Sequence, residues 1–316
     1  MKFLLTAINA KFIHSNPAIY SLQAGVGEKL QPYVELAEFT INESPESILE
    51  GIWKRQPKVI GFSCYIWNWK LIREILTELP KILPDTEIWL GGPEVTYDGP
   101  GLLREFPQVT GIMVGEGEVT FREVLDQYVR EAESTGQSEQ QPESDSIEQQ
   151  AADRMGTVAG KSVAERFGQI PGLCLASGYT APRELTDLTT LPFLYEDMEP
   201  FTNRIIYYET SRGCPYRCSY CLSSIDKKVR LRDIDVVKRE RQEFQAALTE
   251  LEVPLLPGAD VVHKGLIIIL RDDTDMANGR IRHVRQGEID LTIAPAVGQR
   301  RHGVAHLQPP SPIPPL

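Results

Sequence analysis

Short apolar runs alternate with amphipathic stretches along residues 1–130, and this alternation constrains the fold more than any other feature of the sequence. The apolar runs lie at 2–8, 33–39, 58–63, 86–90 and 111–114. Helical patterns fill the intervals, beginning near Pro17, Pro45, Asn68 and Glu118. Strands separated by helices predict an α/β domain with a doubly wound parallel sheet. In such sheets ligands bind beyond the carboxyl ends of the strands.

Composition divides the rest of the chain. Residues 131–150 hold six acidic side chains and five Gln without a Lys or Arg, which predicts a disordered acidic linker over 131–169. A connecting segment with a hairpin at Ser177-Gly178 is expected over 170–204. A strand near 205–208 and a helix from Asp233 to about Leu251 follow. Beyond 252 no strand–helix rhythm is visible, so residues 252–316 are expected to be an atypical, poorly ordered tail.

Charge and cysteine content exclude several classes of protein. The chain has 33 Lys and Arg against 44 Asp and Glu, a net charge of −11, which disfavours binding to nucleic acid or to anionic lipid. No apolar stretch approaches the ~18 residues of a membrane span, and the first residues are predicted to form a strand rather than a signal peptide. Five cysteines, three of them within eight residues, do not form a secreted disulfide framework. A reducing, cytoplasmic location is expected.

The three clustered cysteines are Cys214, Cys218 and Cys221, with the spacing C-x3-C-x2-C. Three thiolates on one short loop can bind three irons of a [4Fe–4S] cluster and leave the fourth iron without a protein ligand. Zinc is the main alternative metal, but a structural zinc site needs four ligands, and no fourth Cys or His lies nearby in the sequence. Three cysteines also cannot pair evenly as disulfides.

The segment from Glu209 through Cys221, with Tyr220 before the last cysteine, resembles the signature of the radical S-adenosylmethionine superfamily. The resemblance implies that the open iron chelates S-adenosylmethionine and that the reduced cluster cleaves it to a 5′-deoxyadenosyl radical. It places Tyr220 beside the adenine, and it implies an electron donor such as flavodoxin or ferredoxin.

Small residues follow three of the predicted strands, where they would let a bulky ligand approach the backbone. They are Ser63, Gly91, Gly92, Gly115 and Gly117. Together with the cysteine loop, this layout resembles cobalamin-binding radical S-adenosylmethionine proteins. The resemblance implies that Ser63, Gly91 and Gly92 line the slot for the cobalamin nucleotide tail, and that Gly115 and Gly117 bind the cofactor from a Gly-Glu-Gly-Glu turn common in this group. By the same resemblance the reaction would be a radical modification, with methylation as one form, of a substrate that the sequence does not name.

Other residues allow two interpretations each. The loop after the first strand lacks the Asp-x-His-x-x-Gly motif of cobalamin mutases, so His14 is either a lower cobalt ligand or an ordinary loop histidine. The Trp67-Asn68-Trp69 segment either walls the corrin pocket or packs at a helix start. Cys64 and Cys174 are expected to be buried apolar residues. The basic residues between 227 and 239 are expected to form a solvated face.

The length of the tail bears on activity. The resemblance implies that residues 205–251 are the start of a radical S-adenosylmethionine (β/α) partial barrel. Such a barrel needs on the order of 200 residues, whereas only residues 222–316 follow Cys221. Two hypotheses result: an enzyme whose barrel is divergent or completed by a partner, or a truncated, inactive cobalamin-binding module. The family pattern is expected to break near Glu240, through a frameshift, and little or no turnover is expected.

Overall fold

The computed structural model describes residues 1–12, 14–135, 157–158, 161–201, 204–214, 216, 228–250 and 267–271. The strands of the N-terminal domain are β1 (Phe3–Asn9), β2 (Val34–Thr40), β3 (Val59–Ser63), β4 (Glu87–Gly91) and β5 (Val109–Met113). Its helices are α1 (Pro17–Gly25), α2 (Pro45–Trp53), α3 (Trp69–Ile82), α4 (Gly99–Glu105) and α5 (Glu118–Thr135). The five strands pair in parallel in the order β2-β1-β3-β4-β5. The predicted doubly wound α/β sheet is therefore confirmed.

Both faces of the sheet are covered, which explains why its strands are almost continuously apolar. One face packs against α2, α3 and α4 through residues such as Ile60 and Leu76. The other face packs against α1 and α5 through Phe3, Trp89 and Phe121. Of the helices α1 to α5, α4 alone has no predicted counterpart, since its seven residues begin Gly-Pro-Gly and carry too few apolar positions to show a periodicity.

The segment that follows the acidic stretch extends this domain. After β6 (Thr157–Val158) and β7 (Lys161–Ser162), helix α6 (Val163–Phe167) leads into β8 (Leu173–Leu175) and β9 (Gly178–Tyr179). β8 pairs antiparallel with β5, and β9 pairs with β8, which confirms the hairpin. The predicted linker was too long at both ends, because residues 131–135 belong to α5 and residues 161–169 belong to the fold. Most of the predicted linker, residues 136–156, lies outside the described residues.

Arg166 of α6 attaches this segment to the domain. Its side chain is 1% exposed and forms ion pairs of 2.9 Å with both Glu87 of β4 and Glu131 of α5. Tyr128 also donates a hydrogen bond to Glu87, at 2.7 Å. Periodicity could not reveal this contact, because the three charged residues come from distant parts of the chain.

Replacing Arg166 by Ala is expected to lower the free energy of unfolding by about 3–5 kcal/mol, since two largely buried carboxylates lose their shared cation. Urea denaturation followed by circular dichroism measures the change. Arg130→Ala is the matched control on α5: it breaks an ion pair with Asp126 in which the arginine is 70% exposed, so a change below about 0.5 kcal/mol is expected. Equal effects of the two substitutions would contradict the structural role of Arg166.

The second part of the chain begins with short 3-10 turns at Leu188–Thr190 and Glu199–Phe201, a third such turn lying at Gln31–Tyr33 in the first domain. Its regular elements are β10 (Ile205–Glu209), β11 (Ser211–Arg212), β12 (Arg230–Leu231), α7 (Ile234–Glu250) and β13 (Ile267–Arg271). β10 and β13 pair in parallel, so β10, α7 and β13 form one βαβ unit. The strand near 205–208 and the helix from 233 are thus present as predicted.

One expectation about the tail differs from the structure. A strand does follow residue 252, because the Ile-Ile-Ile-Leu run of β13 pairs along β10. The expected break in the family pattern near Glu240 concerns the sequence and stays a prediction, but side chains on either side of this position are packed. Glu240 is 4% exposed, and Phe244 joins an aromatic cluster with Tyr195 and Tyr208. The rest of the tail, 251–266 and 272–316, lies outside the described residues. Among the described residues no helix is long and apolar enough to cross a membrane.

Candidate functional site

A cavity of about 1020 Å³ lies at the carboxyl ends of β1, β3, β4 and β5, where a ligand site was expected. It is at the upper end of the roughly 300–1,000 Å³ usual for small-molecule pockets, so it has room for a large cofactor. Five of the six residues predicted to contact a cofactor line it: Ser63, Gly91, Gly92, Gly115 and Gly117. The sixth, Tyr220, lies outside the described residues. The opposite wall comes from residues 185–213, including β10 and β11.

The two glycines at the end of β4 have different roles: Gly91 is the last residue of the strand, and Gly92 follows it. Gly92 has a φ of +108°, and a Cβ atom there would clash with the backbone of Cys64. Its lack of a side chain is therefore required by the turn itself, rather than by ligand access alone. Gly91 has no such constraint, since a Cβ atom there would meet only Met113, at 3.8 Å. A longer side chain at Gly91 would instead compete with a ligand for space.

Two residues that line the cavity each have a buried polar atom that lacks a hydrogen-bond partner among the described residues. They are Oδ1 of Asn16, whose residue is 6% exposed, and Oγ of Ser211, whose residue is 1% exposed. Buried polar groups are nearly always hydrogen-bonded, because an unpaired one costs free energy. A ligand with both donors and acceptors would satisfy them.

The loop after β1 joins the two walls of the cavity. Ser15 Oγ donates a 2.7 Å hydrogen bond to the carbonyl of Ile205 on β10, and His14 forms an isolated β-bridge with the same residue. His14 Nδ1 is hydrogen-bonded to the hydroxyl of Tyr207, with the two rings stacked at 6.0 Å. His14 thus lines the cavity with Nδ1 already engaged.

The segment after β3 contributes an aromatic wall. Tyr65 and Trp67 line the cavity and stack at 4.4 Å with an interplanar angle of 8°. Trp69 instead packs on the core beside Phe106. The two interpretations of these tryptophans therefore apply to different residues: Trp67 walls the cavity and Trp69 packs at the helix start.

Asn68 and Glu38 hold these loops, and sequence reasoning did not single out either of them. Asn68 is fully buried, and its Nδ2 donates 3.0 Å hydrogen bonds to the carbonyls of Ile8 and Ser63. The only signal for Asn68 was its place before α3. Glu38 of β2 accepts hydrogen bonds from several groups of both parts of the chain: Asn9 Nδ2, Asn16 N, the Tyr20 hydroxyl and Arg204 Nη1. Burial and the Glu38 charge raise the pKa of Tyr20 above its usual value.

The predicted solvated face is correct for Lys228, Lys238 and Arg239, which are exposed, but wrong for Arg230 and Arg232. Arg230 is ion-paired with Glu116, and Arg232 with Glu240 at 2.5 Å. Both arginine side chains are largely buried, at 21% and 7% exposure. Their partners follow β5 or lie on α7, so the pairing depends on the tertiary fold.

Cys214 is half-buried and follows Gly213, which lines the cavity. The other two cysteines of the loop, Cys218 and Cys221, lie outside the described residues, so their role stays a prediction. Within the described ranges, no group of three His, Cys, Asp or Glu is placed to hold a metal ion. Cys64 and Cys174 are fully buried, as expected. Burial raises the pKa of the Cys64 thiol, which makes it an unsuitable thiolate ligand.

The fold and the cavity define a Rossmann-like ligand-binding domain joined to the start of a second α/β unit. Residues 4–125 match the family model described as the B12 binding domain. This match and the similarities below confirm the resemblance to cobalamin-binding radical S-adenosylmethionine proteins. The glycines that line the cavity, the aromatic wall of Tyr65 and Trp67 and the unpaired polar atoms also fit a large cofactor that carries amide groups.

Two curated proteins that are similar in sequence to this chain are named as methyltransferases. The cobalamin-dependent radical SAM methyltransferase TokK of Streptomyces tokunonensis is 30% identical over 52% of this chain and 22% of its own length. The 2-(S-pantetheinyl)-carbapenam-3-carboxylate methyltransferase of Streptantibioticus cattleyicolor is 26% identical over 64% of this chain and 28% of its own length. The matched region thus spans about a quarter of these relatives.

A solved structure has a similar fold. The cobalamin-dependent S-adenosylmethionine radical enzyme OxsB, with aqua-cobalamin and S-adenosylmethionine bound, superposes with a TM-score of 0.53 over 78% of this chain and 32% of its own. Its sequence identity is 16%, so this likeness concerns the fold alone.

Proposed function

We propose that this chain holds cobalamin in its cavity and a [4Fe–4S] cluster on its cysteine loop, as part of a radical S-adenosylmethionine methyltransferase. The observation that carries the proposal is the shared cavity. Glycine turns of the B12-type domain form one wall, and β10 and β11, which lead directly into Cys214, form the other. A ligand bound there would contact both parts of the chain.

The lining residues would have separate tasks. Ser63, Gly91, Gly92, Gly115 and Gly117 would border the nucleotide tail of cobalamin, whereas Asn16 and Ser211 offer unpaired oxygens for hydrogen bonds with a ligand. Cys214, Cys218 and Cys221 would bind the cluster, and Tyr220 would lie beside the adenine of S-adenosylmethionine.

The cofactors would supply the chemistry, a one-electron cleavage of S-adenosylmethionine by the reduced cluster and a methyl group carried by cobalamin. The protein would position them and exclude water. An electron donor of the flavodoxin or ferredoxin type is the partner that this chemistry requires. The substrate has no assigned contact among the described residues.

Anaerobic incubation of the reconstituted chain with S-adenosylmethionine and dithionite tests the proposal. We expect 5′-deoxyadenosine to form, because the three loop cysteines would supply the ligands of a cluster with one open iron. A Cys218→Ala variant should form none. Product equal to that of this control would favour the alternative, an inactive cobalamin-binding module.

A further inference from the structure

The turn after β5 reads Gly115-Glu116-Gly117-Glu118, and its two carboxylates face the second part of the chain. Glu118 Oε1 lies 2.6 Å from Arg212 Nη2, and it also accepts a 3.0 Å hydrogen bond from Ser21 Oγ. Glu116 is ion-paired with Arg230 and lies 3.5 Å from Arg212 Nη1. The turn therefore combines two glycines that line the cavity with two glutamates that pair with Arg212 and Arg230.

These two arginines bracket the segment that contains all three clustered cysteines. Arg212 on β11 precedes Gly213 and Cys214, and Arg230 on β12 follows Val229. β11 and β12 pair antiparallel, with Arg212 directly opposite Arg230. The two ends of the segment also touch elsewhere, since Gly213 has a φ of +98° and leaves no room for a Cβ atom beside the carbonyl of Lys228. Glu116 thus contacts both ends of the cysteine segment at once.

The ion pairs are shielded from water. The side chains of Glu116, Glu118 and Arg212 are 15%, 8% and 16% exposed. Hydrogen bonds and charge from Arg230 and Arg212 lower the pKa of Glu116 despite its partial burial. Arg212 Nε also forms an ion pair of 2.8 Å with Glu209, so each of the three guanidinium nitrogens of Arg212 lies next to a carboxylate. Removing one member of such a network leaves buried charges unpaired, which is more costly than losing an exposed ion pair.

We propose that Glu116 is a positioning residue. By pairing with both Arg212 and Arg230, it holds together the two ends of the cysteine segment, and we call this contact the clamp. Because Gly115 and Gly117 line the cavity on either side of it, a ligand in the cavity would restrain the same turn. Cobalamin binding and retention of the cluster would therefore be coupled, each stabilising the other. This inference rests on the proposed function, since it assumes that the loop carries the cluster.

The rate at which a chelator removes iron from the reconstituted full chain tests the clamp. Separation of the two ends of the cysteine segment would expose the cluster, so the Glu116→Gln variant is expected to release iron at least about tenfold faster than the wild type. Hydroxocobalamin should slow iron release from the wild type and give little protection to the variant. Glu123→Gln is the matched control on α5: it weakens an ion pair with Arg183 that does not touch the loop, and its iron release should stay at the wild-type rate.

A second variant separates the clamp from general instability. Arg230→Gln removes the ion pair with Glu116 from the other side and should also release iron faster. Arg230→Lys keeps the charge and should restore part of the iron retention. Because the contact is shared, Glu116→Gln with Arg230→Gln should cost less than the sum of the single changes. Wild-type iron release in a folded Glu116→Gln or Arg230→Gln variant would overturn the clamp and leave the proposed function standing. A wild-type chain that binds no cluster would overturn both.

Discussion

Replacing Cys214, Cys218 or Cys221 by Ala is expected to abolish the [4Fe–4S] cluster of the anaerobically reconstituted chain. Each substitution removes one of the three thiolates assigned to the cluster. Iron should fall from about four atoms per chain to near zero, with loss of the brown absorbance. Iron analysis and the visible spectrum measure the change.

The chain offers its own control for this experiment. Cys174 is fully buried beside Gly99 in the core, so Cys174→Ala should keep the full cluster and lose only stability. A full cluster in the variant that lacks all three loop cysteines would show the assignment to be wrong. Loss of the cluster in Cys174→Ala would show that reconstitution reports on folding rather than on ligation.

Cobalamin binding should depend on the size of the side chain at position 91. Gly91→Leu is expected to weaken binding of hydroxocobalamin to the full chain at least about a hundredfold, or about 2.7 kcal/mol, because the side chain would fill part of the cavity. Gly91→Ala should have a much smaller effect, since its Cβ atom would make only ordinary contact with Met113. Titration followed by the cobalamin spectrum gives both affinities.

Position 91 is more informative than Gly92, where any side chain would strain the turn against Cys64 and confuse binding with folding. Thr77→Leu adds the same side chain on the exposed surface of α3 and should leave the affinity unchanged. Unaltered binding by a folded Gly91→Leu variant would place cobalamin elsewhere. A wild-type chain without any spectral change would instead indicate a different ligand for this cavity.

Local patterns were sufficient for the first domain. The strands predicted at 2–8, 33–39 and 58–63 differ from β1, β2 and β3 by no more than one residue at either end. Strand and helix periodicities depend on which face of each element is buried, and that information lies within a few residues. The same locality explains why the glycine turns could be assigned to one edge of the sheet, since all parallel strands end there.

Contacts between distant residues could not be predicted in this way. Arg230 and Arg232 resemble surface charges when only their neighbours in sequence are considered, yet Arg230 pairs with Glu116 from the other part of the chain. Arg166 likewise appeared to belong to a disordered linker until its two carboxylate partners were located. Whether a charged side chain is solvated or pairs inside the protein depends on what surrounds it after folding, and its neighbours in the sequence do not reveal this.

The sequence by itself determined the α/β class of the first domain, the edge at which its ligand site lies and the cysteine spacing suited to a cluster. These features depend on local periodicity, turn chemistry and the reach of a short loop. Only the tertiary structure decided that β10 and β11 form the opposite wall of the same cavity and that one glutamate joins both ends of the cysteine segment. Such features depend on burial and charge pairing between segments about a hundred residues apart, which exist only once the chain has folded.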